Sequence, residues 1–421
     1  MKIINRKSKI SLSLPPYTIN MKKNLYLVIA TVLFLGFTAN AQDTIRNKKG
    51  GGYLFTKVVN LDATPVQDQN STGTCWSFSA LSYFESELLR TGKGTHNLSE
   101  MFVVRNGYVD KGDKYVRMHG KSNFGQGGAF WDIPYVIKNY GIVPEEVYNG
   151  KNYGGGEKHN HNELEAVLTA FVKTITENPQ KSLTTSWKKA YTSIVDAYLG
   201  TVPETFTYQG KTYTPKEYAN SLGLKMDDYV TLGSYTHHPF YQSFVLEVED
   251  NWASQQLYNV QLDEMIETIN NALNKGYTVA WASDVSEKGF SFKNGLAIVP
   301  DDETTVAKKG EDNKQFNNAG ADKTGTPFDA PCKEKEITQQ VRQEAFDNYQ
   351  TTDDHGMHIV GMYKDQTGKV FYRVKNSWGT KNNDCDGYLF VSEAFIRYKT
   401  TDIMIHKDAL SKDLKKKLGV N

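Results

Sequence analysis

The chain has 421 residues, of which 39% are hydrophobic and three are cysteine. This length predicts two or three domains, or one large domain with an insertion, and the apolar fraction excludes wholesale disorder. Three cysteines exclude a small disulfide-framework protein. Residues 1–41 contain six Lys or Arg and no acidic residue, so the remainder has 43 basic and 48 acidic residues, a net charge of −5. That balance argues against a nucleic-acid binder.

The N-terminal region has the layout of an export signal. A short basic region at 21–24 precedes a 13-residue apolar core at 25–37 and a small-x-small cleavage site at 39–41. As a helix the apolar core would span about 20 Å, short of the roughly 30 Å hydrocarbon layer of a membrane. The pattern therefore indicates a cleaved signal peptide and not a membrane anchor.

This interpretation sets the boundaries of the mature protein. We expect residues 21–41 to be the signal peptide, with Gln42 as the mature N-terminus, and residues 1–20 to be untranslated or dispensable. Localisation is then secreted or periplasmic, with no stable membrane span after the signal is removed.

Periodicity and turn residues predict the elements of the mature chain. In chain order they are an extended lead-in at 42–60, a helix at 75–90, short helices around the Gly-rich stretch GQGGAFW within 97–140, a helical insertion at about 151–258, a helix at 262–274, a buried strand at 277–285, a surface loop at 300–330, and two strands over 355–376.

Among the three cysteines, Cys75 has a context that suits a nucleophile. It opens a predicted helix, whose positive end lowers a thiol pKa and favours the thiolate. Gly73 would let a substrate backbone approach closely. The side-chain amide of Gln69 and the backbone N–H of Cys75 are candidate donors to an oxyanion.

A thiol nucleophile needs a base, and the C-terminal hairpin selects one. If Asp365 and Gly368 face each other across the turn, paired residue numbers sum to 733. His355 then shares one strand face with Asn376 and Trp378, while His358 points to the other face. We therefore predict His355 as the base and Asn376 as its orienting partner, with a covering or packing role for Trp378.

The remaining candidates are assigned to structural roles. His159, His161, His237 and His238 lie in polar stretches and are expected to be solvated loop residues. Cys332 and Cys385 either form a disulfide or remain as two free thiols. No HExxH or CxxC spacing is present, so we expect no metal and no cofactor.

Three blocks of sequence carry a resemblance to a known family. QDQNSTGTCWSFSA, DDHGMHIVG and VKNSWGT resemble the signature blocks of papain-like cysteine peptidases, in the order Cys, His, Asn. The 280-residue interval between Cys75 and His355 resembles the bleomycin hydrolase/aminopeptidase C branch, which carries a helical insertion there. GKTYTPKEYA, ITQQVRQEAFDNYQTTDDHGM and GYLFVSEAFIRY also resemble that branch, and the likeness extends over roughly residues 53–405.

The resemblance implies a fold and a set of roles. The fold is α+β, with a helical and an antiparallel β-rich sub-domain flanking a cleft, and residues 42–421 form the peptidase domain. Cys75 is then the nucleophile, His355 the general acid/base, Asn376 the orienter and Gln69 the oxyanion donor. The implied substrate-binding residues are Gly73, Trp76, Gly127, Gly128 and Trp378. The implied partners are peptide substrates, and a homo-oligomer is compatible with the family's hexamers.

The chain departs from this branch in two respects. Members usually act inside the cell, and their C-terminal arm places a terminal carboxylate against the amino group of the substrate. Here the tail at 406–421 is short, although Leu410, Leu414 and Leu418 at i+4 spacing predict a helix over 408–418. We expect an aminopeptidase, with an endopeptidase or a catalytically silent binding homologue as the alternatives.

Overall fold

A computed structural model describes residues 44–154, 156–179, 182–309 and 322–420 of the chain. The expected signal peptide at 21–41 and the segment 1–20 lie outside these ranges, as does Asn421. Among the described helices, none combines the length and the apolar character needed to cross a membrane.

Ten α-helices occur in the described part of the chain. They are α1 (Cys75–Arg90), α2 (Glu100–Arg117), α3 (Asp132–Tyr140), α4 (Asn162–Thr176), α5 (Ser186–Leu199), α6 (Pro215–Leu222), α7 (Leu262–Asn274), α8 (Gln339–Asp347), α9 (Glu393–Lys399) and α10 (Lys412–Leu418). The first six pack mainly into one apolar core, and α7, α9 and α10 pack into a second core on the sheet. This segregation of helices confirms the predicted α+β class.

The strands form one large sheet and two small hairpins. They are β1 (Thr44–Arg46), β2 (Leu54–Asn60), β3 (Phe206–Tyr208), β4 (Lys211–Tyr213), β5 (Tyr229–Gly233), β6 (Ser243–Val245), β7 (Gln256–Asn259), β8 (Val279–Ser283), β9 (Phe290–Ser291), β10 (Leu296–Ala297), β11 (Ala307–Lys309), β12 (Asp322–Thr324), β13 (His355–Lys364), β14 (Val370–Lys375), β15 (Tyr388–Ser392) and β16 (Thr400–His406). The large sheet runs β6-β7-β5-β16-β8-β13-β14-β15-β10-β9, and β2 joins it beside β13. Most neighbours are antiparallel, as expected.

The β13–β14 hairpin has a bulge that the sequence did not reveal. Near the turn the Asp365 N–H donates to the carbonyl of Lys369, and paired residue numbers there sum to 734. Val360 is an extra residue on β13, and beyond it His358 pairs with Lys375, as the predicted sum of 733 requires. The bulge thus restores the predicted register at the end of the hairpin that bears His355.

Helix α1 forms over the predicted residues and is buried along nearly its whole length. It packs on β13, and Gly356 permits the close approach at one point. A Cβ added to Gly356 would lie 2.7 Å from Ser79 Oγ. A larger residue there would push the start of β13 away from the start of α1.

The stretch 151–258 is helical only in its first part. Helices α4 and α5 pair through apolar faces that include Leu168 and Val195, and α6 follows the β3–β4 hairpin. From Tyr229 onward the chain enters the large sheet as β5, β6 and β7. The expectation of helical structure through residue 258 is therefore wrong in its last thirty residues. Those strands are too short to show a clear period of two.

The C-terminal tail packs on α7. Leu410, Leu414 and Leu418 are buried in the core of the sheet, and Ser411 caps α10. Lys275 Nζ donates to the carbonyl oxygens of residues 408–410, and Lys417 pairs with Glu264 at 2.8 Å. The predicted helical tail is present, and its contacts through Val420 are with the neighbourhood of α7.

Cys332 and Cys385 are free thiols, so the disulfide alternative is wrong in this structure. Cys385 is buried, and its Sγ donates to the carbonyl oxygen of Asn47 at 2.9 Å. Both side chains border the apolar cluster around Phe55 and Phe371.

Candidate active site

Cys75 lies at the first position of α1, where backbone N–H groups lack helical partners. The preceding Thr74 does not cap the helix with its side chain, because its hydroxyl pairs with that of Thr72 at 2.6 Å. The N–H groups of Gly356 and Trp76 face the Cys75 sulfur. Cys75 as a residue is half-buried.

His355 and Asn376 form the contact that the hairpin register predicts. His355 Nε2 and Asn376 Oδ1 are 2.7 Å apart, and both residues are buried. The Trp378 ring stacks on the imidazole with a centroid distance of 4.6 Å and an interplanar angle of 28°. Trp378 is itself 2% exposed, so it covers the His–Asn contact from water.

The hydrogen bonds around Asn376 determine which imidazole nitrogen of His355 carries the proton. The backbone N–H of Ser377 donates to Asn376 Oδ1 at 2.7 Å, which identifies this atom as the oxygen. His355 Nε2 must therefore carry the proton and donate it to that oxygen. His355 Nδ1 has no hydrogen-bond partner among the described residues, so its lone pair is available to accept the thiol proton.

Burial disfavours the charged forms of both Cys75 and His355 and shifts the pKa of each accordingly. It raises the pKa of the Cys75 thiol to about 12, although the N–H groups of Gly356 and Trp76 oppose that shift. It lowers the pKa of His355 to about 4, against the effect of the Asn376 hydrogen bond. The N–H of Trp76 at the helix start lowers the thiol pKa as expected, but the effect of burial is larger.

Gln69 is held with its amide nitrogen directed away from Ser377. Ser377 Oγ donates to Gln69 Oε1 at 2.6 Å, and Gln69 Nε2 donates one hydrogen to the carbonyl of Thr72 at 2.7 Å. The second Nε2 hydrogen has no partner within the described ranges and remains available to an oxyanion. Ser377 was not predicted as a site residue. Its position one residue after the orienting Asn376 was the only available signal.

The three glycines and Trp76 form the other wall around Cys75. Gly73 N–H donates to Gln126 Oε1 at 2.7 Å, and Gly128 lies directly over the Trp76 ring. Gly127 receives the ammonium of Lys111 on its carbonyl oxygen. Gly73, Gly127 and Gly128 are partly exposed and can offer backbone to a ligand.

The two tryptophans have supporting positions in this site. Trp76 is 2% exposed and donates its Nε1 hydrogen to the carbonyl of Gln126 at 3.0 Å. Trp378 is covered to the same extent and stacks on the imidazole. The assignment of Trp76 and Trp378 as substrate-binding residues is therefore corrected, because both side chains are buried and support the residues above them.

His159 and His161 are buried, contrary to the expectation of solvated loop residues. Burial lowers the pKa of His159 to about 4 and of His161 to about 3. Their backbones exchange hydrogen bonds with Ser71, at 3.0 Å and 3.1 Å. The start of the insertion thus supports the loop that leads into Cys75.

His237, His238 and Glu247 are the one described group whose side-chain atoms are close enough to share a cation. Gln343 accepts from the Thr236 N–H through Oε1, so its Nε2 is the atom facing His237 Nδ1 at 2.9 Å. His237 Nδ1 is therefore an acceptor, and its Nε2 hydrogen is donated to Glu247 at 3.2 Å. Because His237 Nε2 carries a hydrogen, it has no free lone pair to offer a cation. The three residues therefore form a hydrogen-bonded cluster.

Two family models match this chain on either side of the region 256–333. A model of the papain family cysteine proteases matches residues 56–255, which include Gln69 and Cys75. A model of the Peptidase C1-like family matches residues 334–421, which include His355 and Asn376. The chain belongs to the papain-like cysteine peptidases. The split match reflects the long interval between the nucleophile block and the histidine block.

Comparison with whole proteins places this cysteine peptidase in the aminopeptidase C/bleomycin hydrolase branch. It is 22% identical to aminopeptidase C of Streptococcus thermophilus, over 88% of this chain and 86% of that protein. It is also 22% identical to aminopeptidase C of Lactococcus lactis subsp. cremoris, over 84% and 83%. The crystal structure of PepW from Lactobacillus rhamnosis HN001 superposes with a TM-score of 0.65 at 18% identity, over 95% and 93%, which supports the same fold.

Proposed function

We propose that this cysteine peptidase hydrolyses peptide bonds through Cys75, His355, Asn376 and Gln69. The observation that carries the proposal is the fixed tautomer of His355, whose unpartnered Nδ1 is the nitrogen left to receive a proton. Next to it, the Cys75 sulfur lies against the N–H of Gly356, the neighbour of His355 in sequence.

The chemistry follows from these positions. Nδ1 of His355 takes the thiol proton as the sulfur of Cys75 attacks the scissile carbonyl, and the oxyanion receives hydrogen bonds from the Cys75 N–H and Gln69 Nε2. The imidazolium then protonates the leaving amine, which departs and leaves a thioester. Water, deprotonated by His355, hydrolyses the thioester and regenerates the thiol.

We further propose that the enzyme is an aminopeptidase. The support comes from the full-length likeness to proteins named aminopeptidase C. One observation favours the endopeptidase alternative, namely that the described tail packs on α7 and the core of the sheet. A series of peptides with free and acetylated N-termini separates the two, because an aminopeptidase requires the free amine.

Labelling and substitution test the mechanism itself. A thiol-directed epoxide should modify Cys75, as read by peptide mass spectrometry, and Cys75→Ala should abolish turnover while the protein remains folded. Cys332→Ala is the matched control, since it removes a thiol outside the site, and it should leave turnover intact. Absence of both turnover and labelling in the native protein would support the silent homologue instead. Residual turnover above a few per cent in Cys75→Ala would contradict the role of Cys75 as nucleophile.

Export is a separate proposal that rests on the sequence at 21–41. Its support is the order of a basic region, an apolar core and a small-x-small site. N-terminal sequencing of the protein recovered outside the cytoplasm should give Gln42. Recovery from the cytoplasm with the apolar segment intact would contradict it.

A further inference from the structure

An aminopeptidase must place an anion near the scissile bond, and this chain has a candidate outside its tail. Bond lengths put the α-nitrogen of a substrate about 2.5 Å from the attacked carbonyl carbon. A charged hydrogen bond adds about 2.8 Å, so the carboxylate must lie within roughly 5 Å of the reacting centre. The described tail packs on α7, and acidic residues that act on Cys75 are an alternative source of this anion.

A cavity of about 520 Å³ beside the site is lined by carboxylates. The acidic members of its lining are Glu247, Glu249, Asp250, Asp347 and Asp353. Asp353 precedes His355 by two residues, and the charges of Asp250 and Asp353 both act on the Cys75 thiol. The acidic cavity therefore lies near the segment that carries His355.

Asp250 occupies the position on Gly127 where a side chain would otherwise be. A Cβ added to Gly127 would overlap both carboxylate oxygens of Asp250. Gly127 is partly exposed and belongs to the glycine pair expected to bind substrate backbone. A chain extending beyond the first substrate residue would therefore meet this carboxylate.

No described residue forms a hydrogen bond or an ion pair with the side chains of Asp250 or Asp353. Lys111 is a nearby cation, but its Nζ is directed to the carbonyl oxygens of Gly125 and Gly127. Burial raises the pKa of Asp250 to about 6, a shift that the charge of Lys111 opposes. The Asp250 carboxylate therefore has no direct counter-ion among the described residues.

A second acid is buried behind Asp353. Asp402 lies in the β16 bulge, is 3% exposed, and its Oδ1 has no hydrogen-bond partner in the described ranges. Its charge acts on Asp353, together with that of Asp250. Three acids thus lie close enough to act on one another, and burial raises the pKa of each. A cationic ligand would stabilise their ionised forms.

We propose that Asp250, supported by Asp353, binds the α-ammonium group of the substrate and closes the cleft beyond the first residue. This inference rests on the proposed aminopeptidase function and names the group that selects a free N-terminus. In this enzyme a side chain on the loop after β6 then supplies the anion that bleomycin hydrolase-like enzymes take from their C-terminus.

The test compares aminoacyl coumarylamides carrying a free amine with their N-acetyl forms. Asp250→Asn should lower kcat/KM for the free-amine substrate by about 10- to 100-fold. It should leave kcat/KM for the acetylated substrate unchanged or raised, since a repulsive carboxylate is gone. Asp353→Asn should reduce the preference in the same direction by a smaller factor.

Two controls separate this proposal from the function on which it rests. Asp227→Asn removes an equal charge from an exposed side chain that pairs with Lys138, and it should leave the preference unchanged. Wild-type enzyme without preference for a free amine would contradict the aminopeptidase function itself. A wild-type preference that survives in folded Asp250→Asn and Asp353→Asn would overturn only the role of these acids. If Asp250→Asn does not fold, Asp250→Glu and Asp353→Asn carry the same comparison.

Discussion

Ser377 donates its hydroxyl hydrogen to Gln69 Oε1 over 2.6 Å, and so joins the two halves of the site. Its backbone N–H meanwhile donates to Asn376 Oδ1, the atom that orients His355. One residue therefore fixes both the direction of the Gln69 amide, the proposed oxyanion donor, and the tautomer of His355, the proposed base.

The Ser377–Gln69 contact predicts graded effects on catalysis. Gln69→Ala should lower kcat by about 10²–10³, because it removes a donor used in the transition state, with little change in KM. Ser377→Ala should lower kcat by a smaller factor, about 3- to 10-fold, because the amide remains but is less well oriented. Steady-state kinetics checks both, with the exposed Ser193→Ala as control. A change confined to KM would mean that Gln69 only lines the cleft.

The low pKa of His355 predicts activity in acid. Nδ1 must be unprotonated to act as base, and burial lowers the pKa of this imidazole to about 4. The acid limb of kcat/KM should therefore lie below the ordinary histidine value of about 6.5, with activity retained near pH 5 and lost towards pH 4. The limb belongs to the coupled Cys–His pair. An acid limb at pH 6.5 or above would contradict the structure.

Substitution of the His355 partners should separate orientation from proton transfer. His355→Ala removes the proton carrier and should abolish turnover, whereas Asn376→Ala should lower the rate less. The Asn376 hydrogen bond raises the pKa of His355, so its loss should also move the acid limb to lower pH. Rate profiles of the two variants check this. Equal losses in both would argue against Asn376 as the orienter.

We expect a side chain at position 356 to clash with Ser79, and removal of the Ser79 hydroxyl to relieve that clash. A Cβ in Gly356→Ala would lie 2.7 Å from Ser79 Oγ, so β13 should shift and His355 should move with it. We expect a loss of about 1–3 kcal/mol in unfolding free energy and a larger relative loss of kcat. Adding Ser79→Ala, which removes the Oγ, should restore part of both. Chemical denaturation and kinetics of the single and double variants measure this, and no recovery in the double variant would mean that the clash lies elsewhere.

The buried tail predicts a stability effect without a change in specificity. Leu414 is 4% exposed in the core of the sheet, so Leu414→Ala should lower the unfolding free energy by about 2–5 kcal/mol. The preference for free over acetylated N-termini should stay unchanged. The exposed Lys416→Ala is the matched control, with an expected change within about 0.5 kcal/mol. A preference lost in folded Leu414→Ala would instead assign the tail to the cleft.

The contact between His355 and Asn376 was predicted correctly from the sequence, although the assumed pairing at the turn was wrong. The turn pairs Asp365 with Lys369, not with Gly368, and on that register alone His355 would point to the other face. The bulge at Val360 corrects the difference. Nothing in a buried apolar run marks the residue that will bulge, because its side chain is as apolar as its neighbours.

Other features depended on tertiary packing that no local pattern reports. Helices α1 and α7 were predicted with their observed bounds, since each has a strong period of 3.6 residues. The burial of His161 was missed, because the apolar face that covers it comes from residues distant in sequence such as Tyr108. The carboxylate of Asp250 on Gly127 was missed for the same reason, as 123 residues separate the two along the chain.

The bulge at Val360 also determines where this hairpin tolerates changes in length. Between the turn and the pair His358–Lys375, β13 contains one residue more than β14. On the turn side of the bulge, one residue can be added to or removed from both strands together. The His355 imidazole then stays on the same side of the sheet. Loss of the single residue Val360 would exchange the two faces of the strand and carry His355 to the side of Lys375. Insertions and deletions in relatives that keep the same chemistry should therefore be even in number along these strands, or fall within the loop at 366–368.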